Sequence, residues 1–271
     1  MATYPAIIHP ADLAERMQDD SVRVVDVFNP SPQDQVFIPG AFHLPTAALI
    51  EGTPPSTGKL PSKAQLDAVF GYIGYEATQT IVVSDHEGGG WAGRLAWTLD
   101  VIGHSRWLYL DGGIHAWQQA GFEVTHAPTE AIRTQPDLTI DTKPLIGIDE
   151  LMARLGEEDL VIWDVRSRDE FLGKRPGAQR NGHIPGATNI DWLDLMDHNN
   201  AMRLRSDLRD LLQAHGITPE RNVVTHCQTH HRSGLSYMVG RLLEFTNIRA
   251  YDGSWSEWGN RTDTPIETEL T

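Results

Sequence analysis

The chain carries one sequence pattern twice, and this duplication constrains its fold more than any other feature. Segments of the first half match segments of the second half in the same order, and the downstream matches share one offset of 141 residues without a gap. The matched pairs are Val25-Asp26-Val27 with Trp163-Asp164-Val165, Ile38-Pro39-Gly40-Ala41 with Ile184-Pro185-Gly186-Ala187, Val82-Val83-Ser84-Asp85 with Val223-Val224-Thr225-His226, Asp111-Gly112 with Asp252-Gly253, and Trp117 with Trp258. Because unrelated domains rarely share such matches in one order, the sequence predicts two copies of one domain.

The length of the chain agrees with this duplication. Its 271 residues suit two domains of about 130 residues each. Residues 125–144 contain three prolines, many threonines and little apolar periodicity, as expected of an extended linker. We therefore predict a first domain over residues 1–124, a linker over residues 125–144 and a second domain over residues 145–271.

Short β-branched segments alternate with helical patterns in both halves. A helix is predicted to begin at Ser62, where Ser62-Lys63-Ala64-Gln65 has the form of a capping box, and another is predicted within residues 234–244. The predicted strands are residues 22–27, 80–84, 107–110, 160–164, 222–226 and 248–251. This alternation predicts an α/β fold in which each copy is a mostly parallel sheet with helices on both faces. Functional sites are then expected at the carboxyl ends of the strands.

Charge and composition exclude several classes of function. A formal net charge of −15 opposes binding to nucleic acids and to anionic membrane surfaces. Apolar segments are too short to span a bilayer, and the amino terminus has no signal-peptide pattern. The single cysteine cannot form an internal disulfide, so we expect a cytoplasmic protein.

That cysteine, Cys227, follows a predicted strand and is itself followed by Gln228-Thr229-His230-His231-Arg232 and a predicted helix. Backbone N–H groups of such a loop, together with the positive end of the helix dipole, form a cradle for an anion. No carboxylate occurs between residues 223 and 243, so this segment is locally positive. Such surroundings lower a thiol pKa from about 8.5, which predicts a nucleophilic thiolate.

Two other roles for this cysteine are compatible with the sequence. A lone cysteine in a globular protein is often a small buried apolar residue without chemistry. A metal site formed by Cys227, His230 and His231 can also be written, since these side chains are suitable ligands. Adjacent histidines rarely face one ion together with the cysteine, and no fourth ligand is evident in the sequence.

The sequence resembles the tandem-domain rhodanese family of thiosulfate:cyanide sulfurtransferases over essentially its whole length. The match looks closest to the bacterial branch whose loop reads Cys-Gln-Thr-His-His-Arg. The segments that carry the resemblance are Trp163-Asp164-Val165-Arg166, Gly182-His183-Ile184-Pro185-Gly186-Ala187, residues 227–232, and Tyr251-Asp252-Gly253-Ser254-Trp255-Ser256-Glu257-Trp258-Gly259.

The resemblance implies two rhodanese-like domains with catalysis in the second. Cys227 is then expected to take the sulfane sulfur of thiosulfate, release sulfite, and pass the sulfur to cyanide or another thiophile, without a metal or an organic cofactor. The expected substrate-binding residues are Arg232, Arg166, Gln228, Thr229, His230 and His231. Arg166 has an alternative role in a structural ion pair with a nearby carboxylate. Expected acceptors are cyanide, dithiols and proteins that build iron–sulfur clusters, and we expect a monomer.

Two alternatives to sulfur transfer arise at this point. Certain phosphatases share the fold and the loop, but their loop has one residue more between cysteine and arginine than the four that separate Cys227 from Arg232. A non-catalytic binding module fits only the first copy. There His86, Trp91 and Phe28 occupy the positions of Cys227, Arg232 and Arg166, so the first copy is predicted to be inert.

Overall fold

The computed structural model describes residues 4–29 and 35–269 of the chain. They form two compact units, each of which takes one short segment from the opposite half of the sequence. Unit 1 consists of the described residues of Met1–Leu49, Pro61–Asp141 and Met196–Leu204. Unit 2 consists of those of Ile50–Leu60, Thr142–Leu195 and Arg205–Thr271. The predicted division into residues 1–124, 125–144 and 145–271 follows the two sequence repeats. The two units are defined by compactness instead, so that division stays a prediction.

The secondary structure follows the predicted alternation of strands and helices. In chain order, the strands are β1 (Ala6–Ile8), β2 (Val22–Val27), β3 (Phe42–Leu44), β4 (Thr80–Asp85), β5 (Trp107–Leu110), β6 (Leu160–Asp164), β7 (Thr188–Asn189), β8 (Met196–Asp197), β9 (Arg203–Leu204), β10 (Asn222–His226) and β11 (Ile248–Ala250). The helices are α1 (Pro10–Arg16), α2 (Lys63–Tyr72), α3 (Gly90–Val101), α4 (Gly113–Gln119), α5 (Ile148–Ala153), α6 (Arg168–Phe171), α7 (Leu208–Ala214), α8 (Arg232–Leu242) and α9 (Ser254–Trp258).

The predicted elements are present, with small differences at their ends. All six predicted strands occur, and their ends differ by at most one residue. Helix α8 begins two residues before the predicted start, at Arg232. Helix α2 begins after Ser62 as predicted, but the Ser62 side chain makes no cap hydrogen bond. The Gln65 amide instead donates to the carbonyl of Ala48 at 3.2 Å, so the capping box is not formed there.

Each unit is built around a parallel sheet. Among the described residues, the strand order is β1-β5-β4-β2-β3 in unit 1 and β11-β10-β6-β7 in unit 2, and all neighbours in both sheets are parallel. Helices α3 and α4 pack on the first sheet and α8 on the second. Strand β4 is buried at every residue, as expected of a parallel strand covered on both faces. The predicted α/β class is confirmed.

The apolar core of each unit comes mainly from these strands and the helices beside them. One core cluster in unit 1 contains Ile8, Leu13, Val24, Ile38, Ala41, Val82, Leu108, Leu110, Ile114 and Trp117. The cluster in unit 2 contains Ile146, Ile148, Leu151, Ile162, Ile184, Val224, Tyr251, Trp255 and Trp258. Trp117 and Trp258, which the sequence aligns, are thus both core residues.

The segment predicted as a linker runs without helix or strand along unit 1. Its backbone N–H groups donate to unit 1 carbonyls from Ile132 to Tyr72 at 3.1 Å and from Thr134 to Gly71 at 2.8 Å. The close approach needs a glycine at position 71, because a Cβ atom there would lie 2.5 Å from the carbonyl oxygen of Thr134.

Among the helices of the described residues, none has both the length and the apolar character that crossing a bilayer would require.

Candidate active site

The cysteine loop, residues 227–232, lies where the sequence predicted it. It joins the carboxyl end of β10 to the start of α8, and β10 pairs with β6 on one side and β11 on the other. Cys227 is only 1% exposed, whereas Gln228, Thr229, His231 and Arg232 are partly exposed. The thiol therefore lies beneath a set of polar side chains at the carboxyl edge of the sheet.

The start of α9 holds the backbone of this loop. The Ser254 hydroxyl oxygen accepts the N–H groups of Cys227 at 3.3 Å and His230 at 3.1 Å. The amides of Trp255 and Ser256 donate to the carbonyl oxygens of Cys227 and Gln228, both at 2.9 Å. These four hydrogen bonds define the conformation of the loop, and the loop sequence alone does not reveal them.

The surroundings of Cys227 favour its thiolate. Burial raises the pKa of the thiol, but the positive charge of Arg232, the hydroxyl and N–H of Ser233, and the charge of His231 together bring the pKa below its ordinary value. Ser233 belongs to the first turn of α8, so a hydrogen bond from it acts together with the positive end of the helix dipole. The predicted lowering of the thiol pKa is thus reproduced by the geometry.

Arg232 is not an isolated charge. Its Nη1 and Nη2 atoms donate to Oε2 and Oε1 of Glu170, each at 2.8 Å, in a bidentate pair. Glu170 also completes a capping box with Ser167 at the start of α6. Burial raises the pKa of Glu170, but Arg232 and Ser167 bring it down to about 2. The loop has no carboxylate of its own, yet the fold supplies one, and the sequence analysis missed Glu170.

Arg166 adopts the alternative role that the sequence left open. Its Nε lies 3.0 Å from Oδ1 and its Nη2 2.6 Å from Oδ2 of Asp164, and Nη2 also donates to the carbonyl of Gly182 at 2.7 Å. The buried guanidinium lies over the ring of Trp255, 4.3 Å from its centroid. Trp255 also donates its backbone N–H to the carbonyl of Cys227. Arg166 is thus connected to the loop through Trp255.

The histidines around the cysteine differ in their surroundings. His226 is fully buried, and burial lowers its pKa, although Asp164 opposes this. Burial thus favours the neutral form of His226. His230 is also buried, with Nδ1 2.7 Å from the Ser233 hydroxyl, whereas the partly exposed His231 has its ring 5.8 Å from that of Trp192.

The two remaining predicted residues contact other segments of unit 2. The Gln228 side-chain N–H donates to the carbonyl of Gly177 at 2.7 Å. Gly58, from segment Ile50–Leu60, packs against the backbone of Thr229, because a Cβ atom on Gly58 would lie 2.0 Å from the Thr229 carbonyl oxygen. Within residues 4–29 and 35–269, no three side chains of His, Cys, Asp or Glu are grouped to hold a metal ion.

In unit 1, the segment that matches the cysteine loop, residues 86–91, encloses a carboxylate together with Ala92 of α3. Asp85 ends β4 at the position that aligns with His226, and its side chain is fully buried. Its oxygen atoms accept five backbone N–H groups, those of Glu87, Gly88, Gly89, Trp91 and Ala92. Burial and the nearby Glu87 raise the pKa of Asp85 to about 6, and the amide hydrogen bonds oppose the rise. The first copy thus keeps the anion cradle and fills it with its own side chain.

The residues that replace the reactive set in unit 1 make structural contacts. His86, in place of Cys227, lies 2.9 Å from Oδ2 of Asp26 and stacks on Phe28 with ring centroids 3.6 Å apart. The neighbouring cavity of about 360 Å³ is lined by Val27, Phe28, Asn29, Thr46, His86, Glu87 and Trp91. This lining contains neither a thiol nor a lysine or arginine.

The fold and the site together define a duplicated α/β protein that holds a single thiol between a parallel strand and a helix. The chain belongs to the rhodanese family, because the model of the rhodanese-like domain matches residues 9–120 and residues 147–261. The family predicted from the sequence is confirmed.

Named relatives cover nearly the whole chain. The thiosulfate sulfurtransferase of Pseudomonas aeruginosa is 42% identical over 263 residues, 97% of each chain. The thiosulfate sulfurtransferase of Azotobacter vinelandii is 41% identical over 266 residues, 98% of each chain. Among solved structures, the anaerobic ergothioneine biosynthesis enzyme from Chlorobium limicola is similar, with a TM-score of 0.84, 22% identity, and coverage of 98% of this chain and 70% of that one. At that identity the structural likeness concerns the fold.

Proposed function

We propose that this protein is a thiosulfate sulfurtransferase in which Cys227 carries the transferred sulfur as a persulfide. The observation that carries the proposal is the thiol itself, whose pKa is lowered by Arg232, Ser233 and His231 against the effect of burial. The full-length similarity to two thiosulfate sulfurtransferases adds the choice of donor.

In the first half-reaction, the Cys227 thiolate attacks the outer sulfur of thiosulfate. A bond forms between Sγ and that sulfur, the bond from it to the sulfonate sulfur breaks, and the bonding electron pair leaves with sulfite. In the second half-reaction, cyanide attacks the outer sulfur of the persulfide, thiocyanate leaves, and the thiolate is regenerated. Charge balances in both steps and no proton is transferred. Sulfite leaves before the acceptor binds, so the kinetics are ping-pong.

The residues of the loop have different parts in this mechanism. Arg232, Gln228, Thr229 and His231 are partly exposed, and we assign them to binding of the donor anion on its way to Sγ. The buried His230, held by Ser233, acts by shaping the loop. Arg166 is engaged by Asp164, so its contribution to substrate binding runs through Trp255 and the backbone of Cys227.

Sulfur transfer is favoured over phosphate transfer by the size of the loop. Residues 228–231 separate Cys227 from Arg232, which is one residue fewer than in a phosphatase loop. The tighter loop suits one additional sulfur atom rather than a tetrahedral phosphate.

The test is to load the protein with thiosulfate and to look by mass spectrometry for one added sulfur atom on the peptide that contains Cys227. Cyanide is then added and thiocyanate is measured. We expect Cys227→Ala and Cys227→Ser to lose the added sulfur and to lower turnover about 1,000-fold or more. Equal thiocyanate formation by the variants would contradict the proposal, and turnover of p-nitrophenyl phosphate in place of thiosulfate would favour a phosphatase.

We also propose a monomer in the cytoplasm that uses small dithiols or iron–sulfur assembly proteins as acceptors besides cyanide. The single cysteine suits a reducing compartment, and the net charge of −15 opposes nucleic-acid and membrane partners. Light scattering should give the mass of one chain. Reduced lipoate should discharge the persulfide, with loss of the added sulfur from Cys227.

A further inference from the structure

Segment Ile50–Leu60 comes from the first half of the sequence but belongs to unit 2. Its residue Gly58 lies directly on the cysteine loop. A Cβ atom there would be 2.0 Å from the carbonyl oxygen and 2.8 Å from the Cβ atom of Thr229. Gly58 has no left-handed backbone angle, so the contact with Thr229 is the feature of its surroundings that requires a glycine.

Lys59, the next residue, contacts one residue that precedes α9 and one residue inside it. Its Nζ lies 3.1 Å from Oδ1 of Asp252 and 3.1 Å from Oε2 of Glu257. The N–H of Leu60 donates to the other oxygen of Asp252 at 2.8 Å, and the Tyr251 hydroxyl donates to Oε2 of Glu257 at 2.8 Å. One lysine thereby joins the residue before the α9 turn to a residue inside the helix.

The start of α9 is also the part of unit 2 that holds the cysteine loop. Ser254, Trp255 and Ser256 provide the four hydrogen bonds to the backbone of Cys227, Gln228 and His230. A contact that fixes α9 therefore also fixes the backbone of the loop that carries Sγ. We propose that Gly58 and Lys59 are positioning residues for sulfur transfer, through which the first sequence repeat completes the catalytic loop of the second.

Unit 1 contains a matching contact that serves as a control. Segment Met196–Leu204 comes from the second half of the sequence and belongs to unit 1. There the N–H of Leu204 donates to Oδ1 of Asp111 at 2.8 Å, and Nη1 of Arg203 lies 4.0 Å from Oδ2. Asp111 is the sequence equivalent of Asp252. The two arrangements share their chemistry, but the loop near Asp111 has no cysteine.

The first experiment compares Lys59→Met with Arg203→Met in the full-length protein. For each variant, the thiol pKa of Cys227 is measured from the pH dependence of alkylation by iodoacetamide, and kcat and KM for thiosulfate are measured with cyanide. We expect Lys59→Met to raise the thiol pKa by about one unit, a tenfold loss of thiolate at pH values below the pKa, and to lower kcat about tenfold. Lys59→Arg should recover most of this loss, and Arg203→Met should leave the thiol pKa unchanged.

The second experiment introduces a methyl group at Gly58. Gly58→Ala should lower kcat by at least tenfold because the loop backbone must move. Gly147→Ala is the matched control, since Gly147 has open space where a Cβ atom would lie and no left-handed backbone angle. We expect Gly147→Ala to retain the wild-type kcat.

The proposal is overturned if Lys59→Met and Arg203→Met change the thiol pKa equally, or if Lys59→Met and Gly58→Ala both leave the thiol pKa and kcat unchanged. It rests on the proposed sulfur transfer, but the alkylation measurement does not need turnover. A wild-type protein that forms no thiocyanate would therefore refute the proposed function, while the comparison of alkylation profiles would still decide the role of segment Ile50–Leu60.

Discussion

The two units carry different acidic groups on the same strand–loop–helix arrangement. In unit 1, five backbone N–H groups of residues 86–92 surround the carboxylate of Asp85. In unit 2, the loop of residues 227–232 begins with a thiol whose pKa is lowered by Arg232, Ser233 and His231. The duplicated backbone can thus carry either an internal carboxylate or a reactive thiol at this position.

The difference indicates what keeps the loop of the first copy stable without a cysteine. Without Asp85, the N–H groups of residues 87–92 that it accepts would point at an empty position, and buried donors without acceptors are costly. Asp85 supplies a carboxylate acceptor from within the chain, whereas burial lowers the pKa of the equivalent His226, whose Nε2 atom lies 3.5 Å from Oδ2 of Asp164. The loop amides of unit 1 therefore have an acceptor within their own unit, which supports the prediction that the first copy is inert.

The largest expected effect comes from removing the internal anion. Asp85→Ala leaves five N–H groups without their acceptor, three of them buried, which should lower the free energy of unfolding by about 4 kcal/mol and the Tm of unit 1 by about 10 °C. Calorimetry with and without sulfate measures this, and we expect sulfate to restore part of the loss by entering the cradle. A Tm within a degree of the wild type would contradict this account of unit 1.

The next largest effect concerns the fixed charge of unit 2. Arg232→Met removes the cation beside Sγ and leaves Glu170 without its partner, so the thiol pKa should rise. We expect kcat/KM for thiosulfate to fall about 100-fold, equivalent to about 2.7 kcal/mol of transition-state stabilisation. Arg154→Met is the control, because the Arg154–Glu157 pair lies on the surface and should change kcat/KM less than twofold. A loss of similar size in both variants would contradict the assignment of Arg232 as the cation that stabilises the transition state.

A smaller effect of opposite sign is expected at the partner of Arg232. Glu170→Gln removes a negative charge near the thiolate, so the thiol pKa should fall below that of the wild type. Alkylation of Cys227 at pH 6 should become about threefold faster. Because the pKa of Glu170 is about 2, its charge is constant above pH 4, and alkylation of the wild type should follow the thiol alone. Slower alkylation in the variant would show that Glu170 acts mainly by orienting Arg232.

The smallest expected effect tests whether the scaffold alone confers activity. His86→Cys in the Cys227→Ala background places a thiol in unit 1 at the position of Cys227. That thiol lies beside Asp26, whose Oδ2 is 2.9 Å from the present histidine, and its loop is already filled by Asp85. We expect no thiocyanate above that of Cys227→Ala. Recovery of more than about 1% of wild-type turnover would mean that the backbone matters more than the charges.

Much of the fold followed from the sequence because its determinants are local. The strands β2, β4, β6 and β10 are short β-branched segments whose burial requires no knowledge of distant residues. The duplication identified their order and the loops at their ends. For this reason the sequence could place Cys227 after β10 and Arg232 at the start of α8. The prediction of a capping box at Ser62 was wrong because a contact distant in sequence replaced the local one. The Gln65 side chain donates to the carbonyl of Ala48.

The partners of the charged groups could not be predicted, because they come from distant parts of the chain. Glu170 precedes Arg232 by 62 residues, and Lys59 precedes Asp252 by 193. No periodicity or spacing encodes such pairs. Ser167-Arg168-Asp169-Glu170 does have the form of a capping box, so the helix start was detectable, but the second role of Glu170 was not.

The amino-acid sequence by itself determined the duplication, the parallel α/β design and the position of Cys227 between a strand and a helix. These depend on patterns of burial and turn formation that extend over a few residues. Only the tertiary structure decided which charges are available, since Arg166 is taken up by Asp164 and Arg232 is shared with Glu170. It also decided what fills the first loop and what holds the second, because hydrogen bonds and ion pairs act over a few ångströms in space, whatever the separation in sequence.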